Sequence, residues 1–145
     1  MSATKTARTA NTVENANTTA STSSDMRPDS LPREQIQGSV RFLSGGIGWR
    51  EAIAIKHAMH QFPLTLEFRT TANGKEQFLA GVPVTIRVPA GQVVLRTLSA
   101  GPFLLARLRP GKYEVMAEQH GKMQRREVEI RANGGERLVF EWNIA

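Results

Sequence analysis

Cysteine is absent from this chain of 145 residues, and aspartate occurs only at Asp25 and Asp29. Without cysteine the protein has no disulfide, no reactive thiol and no zinc–thiolate site. No nucleophile elbow surrounds Ser39, Ser44 or Ser99, and a catalytic triad has no aspartate to draw on after Asp29. The glutamates are scattered over outward strand positions, so paired carboxylates for hydrolysis are not expected. We therefore predict that the protein is not an enzyme and has no catalytic, cofactor or metal residue.

Long apolar runs and aromatic side chains are also scarce. No stretch approaches the length of a transmembrane helix, and the N-terminus lacks a hydrophobic signal core. We therefore expect a soluble chain with no membrane span and no export signal. The nine aromatic residues comprise six Phe, two Trp and one Tyr, and no RNA-binding aromatic motif occurs among them.

The N-terminal segment differs in composition from the rest of the chain. Residues 1–30 are mostly Ser, Thr, Ala and Asn, with Val13 and Met26 as the only large apolar residues after Met1. Such a segment buries too little surface to offset its ordering entropy, so residues 1–35 are predicted to be a disordered tail and residues 36–145 a folded domain. The charges in residues 1–37 cancel, which places the net charge of +6 on the domain. A basic domain attracts polyanions or acidic proteins.

One helix is predicted near the start of the domain. The glycine-rich turn SGGIG (44–48) is followed by WREAIAIKHAMHQF (49–62), which ends before Pro63 because proline disfavours helix at the preceding residue. One stripe at helical spacing is apolar, and it should cover an otherwise open sheet surface. Its residues are Ala52, Ile55, Met59 and Phe62.

The remaining sequence is typical of strands. Short alternating segments recur about every ten residues with turn residues between them, which predicts seven or eight antiparallel strands in a sandwich or barrel. The core should include Val84, Ile86, Tyr113, Val115 and Phe140. The predicted strands are residues 36–42, 64–68, 81–88, 92–98, 102–108, 112–119, 122–131 and 136–142.

The run from Gly81 to Glu141 resembles the carboxypeptidase regulatory-like domain, a prealbumin-like (transthyretin-like) β-sandwich. The most specific motif is Leu-x-Pro-Gly-x-Tyr-x-Val-x-Ala over residues 108–117. Weaker motifs occur in the family's order: Gly81-Val-Pro-Val-Thr-Ile86, Ala90-Gly91, Gly101-Pro-Phe103 and Val128-Glu-Ile130.

This resemblance implies an antiparallel prealbumin-like sandwich of about seven strands that serves as a non-enzymatic accessory or binding module. The SGGIG turn and helix are similar to those of small bacterial exported proteins, which implies a periplasmic or secreted protein. The absence of a signal segment departs from that subgroup, so a cytoplasmic location stays open. The transthyretin-like hydrolase ends in Tyr-Arg-Gly-Ser, whereas this chain ends in Trp-Asn-Ile-Ala over residues 142–145, and that activity is not carried over.

Basic residues cluster around two predicted hairpins. They indicate a surface that binds a protein or an anionic polymer, together with exposed strand edges, although a solvated basic face would have the same composition. A nucleic-acid-binding module is one alternative, and it requires an affinity that falls steeply with salt. The six residues are Arg107, Arg109, Lys112, Lys122, Arg125 and Arg126.

Three further features have two interpretations each. His57, His60 and His120 could belong to a small metal or hydrolytic protein, but they lack further ligands at suitable spacing, which favours a structural or surface role. SGGIG could bind an anion at a helix N-terminus, or it could be a tight turn. Trp49 and Trp142 could form a sugar-binding platform if both are exposed, but Trp142 alternates in phase with the core, and Trp49 could be buried or exposed.

Overall fold

The computed structural model describes residues 31–144, so most of the predicted tail lies outside the described residues. One compact unit begins at Pro32, and the first strand begins at Gln35, one residue before the expected domain boundary. The elements in chain order are β1 (Gln35–Gln37), β2 (Val40–Gly45), α1 (Trp49–Ala58), a one-turn 3₁₀ helix (Met59–Gln61), β3 (Leu64–Ala72), β4 (Lys75–Phe78), β5 (Pro83–Arg87), β6 (Val93–Leu98), β7 (Phe103–Arg107), β8 (Gly111–Gln119), β9 (Lys122–Ile130) and β10 (Glu136–Ile144).

The strands form two sheets packed face to face, which confirms a mainly β sandwich with one helix. The large sheet has the order β1-β2-β7-β3-β10, with β4 pairing to the far end of β3. The small sheet has the order β6-β5-β8-β9. The described part contains ten strands, more than the seven or eight expected: the predicted strand over residues 36–42 is two strands, β1 and β2, and β4 lies between two predicted strands.

One pairing departs from the antiparallel pattern. Strand β10 runs parallel to β3 over its whole length, from Glu136 opposite Leu64 to Ile144 opposite Ala72. The backbone N–H of Glu136 donates to the carbonyl of Pro63 at 2.8 Å, which sets the register at the start of the pair. Buried and exposed side chains alternate with a period of two residues in parallel and antiparallel strands alike. The sequence pattern therefore does not distinguish a parallel from an antiparallel neighbour.

The core lies between the two sheets, as the alternation predicted. All five side chains expected there are buried, and Tyr113, at 9% exposure, is the most exposed of them. Phe140 is central: its ring centroid lies 5.8 Å from that of Phe68 and 6.2 Å from that of Trp142. Trp142 is therefore a core residue, as its phase indicated. The five expected side chains are Val84, Ile86, Tyr113, Val115 and Phe140.

The helix is shorter than predicted, and the side that it buries differs from the predicted apolar stripe. It ends at Ala58, and the 3₁₀ turn leads into Pro63. Its buried residues are Ala54, Ile55 and Ala58, followed by Phe62, whereas Ala52 and Met59 are only half-buried. The helix lies beside β2 on the outer face of the large sheet, where Leu43 and Leu105 sit opposite each other and are fully buried. Among the described residues, no helix is long and apolar enough to cross a membrane.

Candidate binding surfaces

The outer face of the small sheet is covered by no described helix or strand. Alternation turns the core residues of β5, β6, β8 and β9 inward, so their neighbours in sequence project from this face. Acidic and basic side chains are interleaved there, and the exposed apolar side chains Leu98 and Met123 lie among them. We call this surface the small-sheet face. Its charged residues are Arg87, Arg96, Lys112, Glu114, Glu118, Arg125, Glu127 and Glu129.

Glu114 ties three strands of this face together. Its carboxylate accepts from Nε of Arg87 on β5 at 2.6 Å and lies 3.3 Å from Nε of Arg125 on β9. The side chain of Glu114 is only 15% exposed, so solvent screens these pairs less than it would screen pairs at the surface. Glu127 lies directly opposite Glu114. The two arginines therefore also offset the repulsion between these neighbouring carboxylates.

An open depression of about 510 Å³ lies at the end of the small-sheet face beside Pro89. Three carboxylates and two basic groups line it, so it can receive side chains of either sign. Among the described residues, Glu127 and Lys112 form no ion pair, which leaves one charge of each sign available to a partner. The charged lining residues are Arg87, Lys112, Glu114, Glu127 and Glu129.

The six basic residues predicted as a binding surface are spread over different parts of the molecule. Arg107 lies on the outer face of the large sheet, where it pairs with Glu34 at 3.2 Å and stacks 4.1 Å from the ring centroid of Phe62. Arg109 and Lys112 flank the turn at Pro110, and Lys122 lies at the opposite end of the β8–β9 hairpin.

The remaining two basic residues have structural contacts. Arg125 pairs with Glu114, and the guanidinium of Arg126 lies 5.0 Å from the ring centroid of Phe140. The sequence did not indicate the part played by Glu114, Glu127 and Glu129. Cross-strand register alone brings these carboxylates among the basic residues, and that register depends on pairing between distant segments.

Tyr113 closes the base of the same depression. Its hydroxyl donates to the carbonyl of Arg109 at 2.8 Å, which fixes the turn at Pro110. Burial raises the pKa of the Tyr113 hydroxyl above 10.0, and the positive charge of Arg109 partly offsets that rise. The side chain is therefore a neutral hydrogen-bond donor at physiological pH.

The strand edges, which the sequence had suggested as binding elements, are bridged between the sheets. The amide of Gln37 on β1 bonds to the backbone of Arg96 on β6. On the opposite side, Gln124 donates to the carbonyl of Glu141 at 2.7 Å, and the Trp142 indole N–H donates to the carbonyl of Lys122 at 2.9 Å. The bonds to Arg96 and Glu141 occupy backbone groups of the edge strands β6 and β10.

The three histidines do not form a metal site. His57 and His60 are exposed on α1 and the 3₁₀ turn, and His120 lies in the β8–β9 turn. Within residues 31–144, no group of three or more potential ligands could hold a metal ion. The ligand group that a metal site built on these three residues would need is therefore not present among the described residues.

The glycine-rich segment before α1 forms a tight turn, and a carboxylate of the same chain occupies the position that an external anion would take. The N–H of Gly46 donates to the Glu51 carboxylate at 2.6 Å, so Glu51 satisfies the donor that an external anion would need. A Cβ atom on Gly46 would meet the ring of Phe103 at 2.6 Å, which requires glycine there. Trp49, at the start of the helix, is 70% exposed.

A buried carboxylate on the large sheet was not anticipated. Glu67 is only 4% exposed and pairs with Arg137 of β10 and, at 3.9 Å, with Arg69. Arg69 also pairs with the more exposed Glu76 at 2.9 Å. Alternation placed Glu67 on the outward side of its strand, and nothing in the local sequence indicated that arginines would enclose it.

No protein-family model matches the chain, and no curated protein matches it significantly.

Proposed function

We propose that the protein is a non-enzymatic accessory module that binds another protein through the small-sheet face and acts outside the cytoplasm. The observation that carries this proposal is the uncovered face itself, where ordered charges of both signs surround an open depression. Fixed charges of alternating sign favour one partner and one register over others.

The charge balance of this face supports a protein partner more than an anionic polymer. Four basic residues are matched there by four glutamates. Two of the glutamates, Glu127 and Glu129, are exposed and would repel a phosphate backbone. A protein partner can instead place a basic side chain at Glu127 and an acidic one at Lys112.

The family resemblance supports the location and the class of function. The motif over residues 108–117 turns at Pro110, and Tyr113, Val115 and Ala117 enter the core. Modules of the carboxypeptidase regulatory-like kind serve as accessory domains, and the bacterial subgroup is exported. Fractionation of cells that express the native reading frame tests the location, and recovery only with cytoplasmic markers would contradict it.

The partner proposal is tested by crosslinking the intact protein in an extract of its native cells. Glu127 and Lys112 are unpaired, so a double charge reversal, Glu127→Lys with Lys112→Glu, should leave the fold intact. We expect at least one protein crosslinked to the wild type to be lost with this variant. That protein should be retained by Lys75→Glu, a control on the other sheet.

Identical crosslinked proteins for the wild type and the double reversal would overturn the proposal. Capture that is abolished by nuclease and falls steeply with salt would favour the nucleic-acid alternative instead. Circular dichroism of each variant checks that the comparison is made between folded proteins.

A further inference from the structure

The outward side of α1 combines exposed apolar side chains with basic ones, and the packing of the helix on the sheet does not require this combination. We propose that this side binds the surface of an anionic lipid bilayer. We call it the α1 outer face and define it by Ile47, Trp49, Arg50, Ile53, Lys56 and His57. It lies on the outer side of the large sheet, so the proposal is independent of the partner proposed for the small-sheet face.

The apolar members of the α1 outer face are unusually exposed. Trp49 is 70% exposed, Ile47 is 64% exposed and Ile53 is 45% exposed. The helix satisfies its packing on the large sheet with Ala54, Ile55 and Ala58, so the core does not require a tryptophan or a second isoleucine on the other side. Exposed large apolar side chains that are close together in the chain mark an interaction surface.

Helix geometry places basic side chains on both flanks of this apolar group. At about 100° per residue, Trp49 and Ile53 lie roughly 40° apart at the centre of the outward side. Lys56 lies on one flank, and Arg50 and His57 lie on the other. The guanidinium of Arg50 is 5.6 Å from the ring centroid of Trp49, which keeps its charge beside the apolar surface.

No negative charge offsets this arrangement on the helix. Glu51 is the only acidic residue of α1, and its carboxylate is turned away to the N–H of Gly46. The outward side therefore combines apolar side chains with positive charge alone. A tryptophan between basic residues on a helix lying flat is the pattern of an interfacial helix on anionic lipid.

The shape of this surface favours a bilayer over the other anionic partners. Trp49 and Ile53 project from the helix and Ile47 from the turn before it, whereas a protein partner would need a complementary hollow for each of them. Nucleic acid would use Trp49 for stacking but would gain nothing from the two isoleucines. A bilayer surface accepts protruding apolar side chains without a matching shape and places its headgroup charge beside the basic flanks.

The test uses the full-length protein and two kinds of vesicle. One is phosphatidylcholine alone, and the other is phosphatidylcholine mixed with an equal amount of phosphatidylglycerol. We expect the protein to co-sediment with the mixed vesicles and not with phosphatidylcholine. The tryptophan emission should shift to shorter wavelength on binding, and Trp49→Ala should abolish the shift because Trp142 is already buried.

The variants and their controls separate this surface from general basicity. Arg50→Gln and Lys56→Gln should each weaken binding to the mixed vesicles about fivefold. Arg109→Gln and Lys122→Gln each remove one positive charge elsewhere on the molecule. Each should weaken binding to the mixed vesicles by less than about 2.5-fold. Because the substituted helix residues are exposed, their thermal unfolding should match that of the wild type.

Absence of binding to the mixed vesicles would overturn the proposal, as would binding that Trp49→Ala leaves unchanged. Binding to double-stranded DNA through the same residues, without binding to vesicles, would also overturn it and assign the face to nucleic acid. The charge reversal at Glu127 and Lys112 should leave vesicle binding intact, so failure of one proposal is distinguishable from failure of the other.

Discussion

The side-chain amide of Gln37 pairs with both backbone groups of Arg96. It donates to the Arg96 carbonyl at 3.0 Å and accepts from the Arg96 N–H at 2.8 Å. Gln37 ends the edge strand of the large sheet, and Arg96 lies on the edge strand of the small sheet. The side-chain amide thus makes the two backbone hydrogen bonds that a neighbouring strand would make, and it links the two sheets along this side of the sandwich.

Replacement of Gln37 by alanine should weaken this link. We expect Gln37→Ala to lower the free energy of unfolding by about 1 kcal/mol, because two hydrogen bonds are lost at an exposed site where water partly replaces them. Gln35→Ala, two residues earlier on the same strand, should change it by less than about 0.5 kcal/mol. Urea unfolding and amide exchange at Arg96 measure the effect, and equal values for the two variants would contradict the prediction.

The buried carboxylate of Glu67 should contribute more to stability than the exposed one of Glu76, although both pair with Arg69. Glu67→Gln removes a charge enclosed by two arginines, and we expect a loss of about 2 kcal/mol. This is less than for a fully buried pair, because Arg137 is half-exposed. Glu76→Gln should cost less than about 0.5 kcal/mol. Chemical denaturation of both variants decides the matter, and a neutral or stabilising Glu67→Gln would refute it.

Tyr113 should make the fold sensitive to alkaline pH. Its pKa is raised by burial, so the folded state holds the phenolic proton more tightly than the unfolded state, whose pKa is about 10. The stability from this difference is fully present below pH 10 and is lost as pH rises through the folded pKa. Tyr113 is the only tyrosine in the chain, so the ultraviolet absorbance of phenolate reports its titration alone.

The matched variant for this effect is Tyr113→Phe. It should lower the free energy of unfolding by about 1 kcal/mol at neutral pH, through loss of the bond to the Arg109 carbonyl. The substitution removes no titratable group other than the phenol, so the difference between the two pH profiles reports the phenol. A phenolate titration of the folded wild type at or below pH 10 would disprove the prediction.

The sequence predicted the parts of the fold that depend on local period. Alternation identified the strands that face the core, and Val84, Ile86 and Phe140 are all buried. It did not identify the parallel pairing of β3 with β10, because that choice depends on which strand lies alongside and not on either strand's own pattern. The stripe on α1 was misplaced by part of a turn, because Ala54 and Ala58 pack inward and small apolar residues give little periodic signal.

The candidate surfaces were harder to predict than the core. Basic residues near two hairpins suggested one patch, but Arg107 and Arg126 lie against Phe62 and Phe140 in different places. The Glu114 bridge depends on the register between three strands that are far apart in sequence. The sequence did not predict whether Trp49 is buried or exposed, because a helix N-terminus can be either. Only the packing of α1 on the large sheet decides its exposure.

Gly101 should be the glycine least tolerant of substitution. A Cβ atom there would overlap the backbone carbonyl of Gly45, where β2 meets the segment leading into β7. Backbone cannot rotate away as a side chain can, so Gly101→Ala must separate the two segments. We expect a loss of at least about 3 kcal/mol or failure to fold.

At Gly134, the nearest atom to an added Cβ is 3.8 Å away, on Arg131. Gly134→Ala should therefore be tolerated within about 0.5 kcal/mol. Thermal unfolding of the two variants makes the comparison, and a Gly101→Ala protein as stable as Gly134→Ala would show that β2 and β7 are not held this closely.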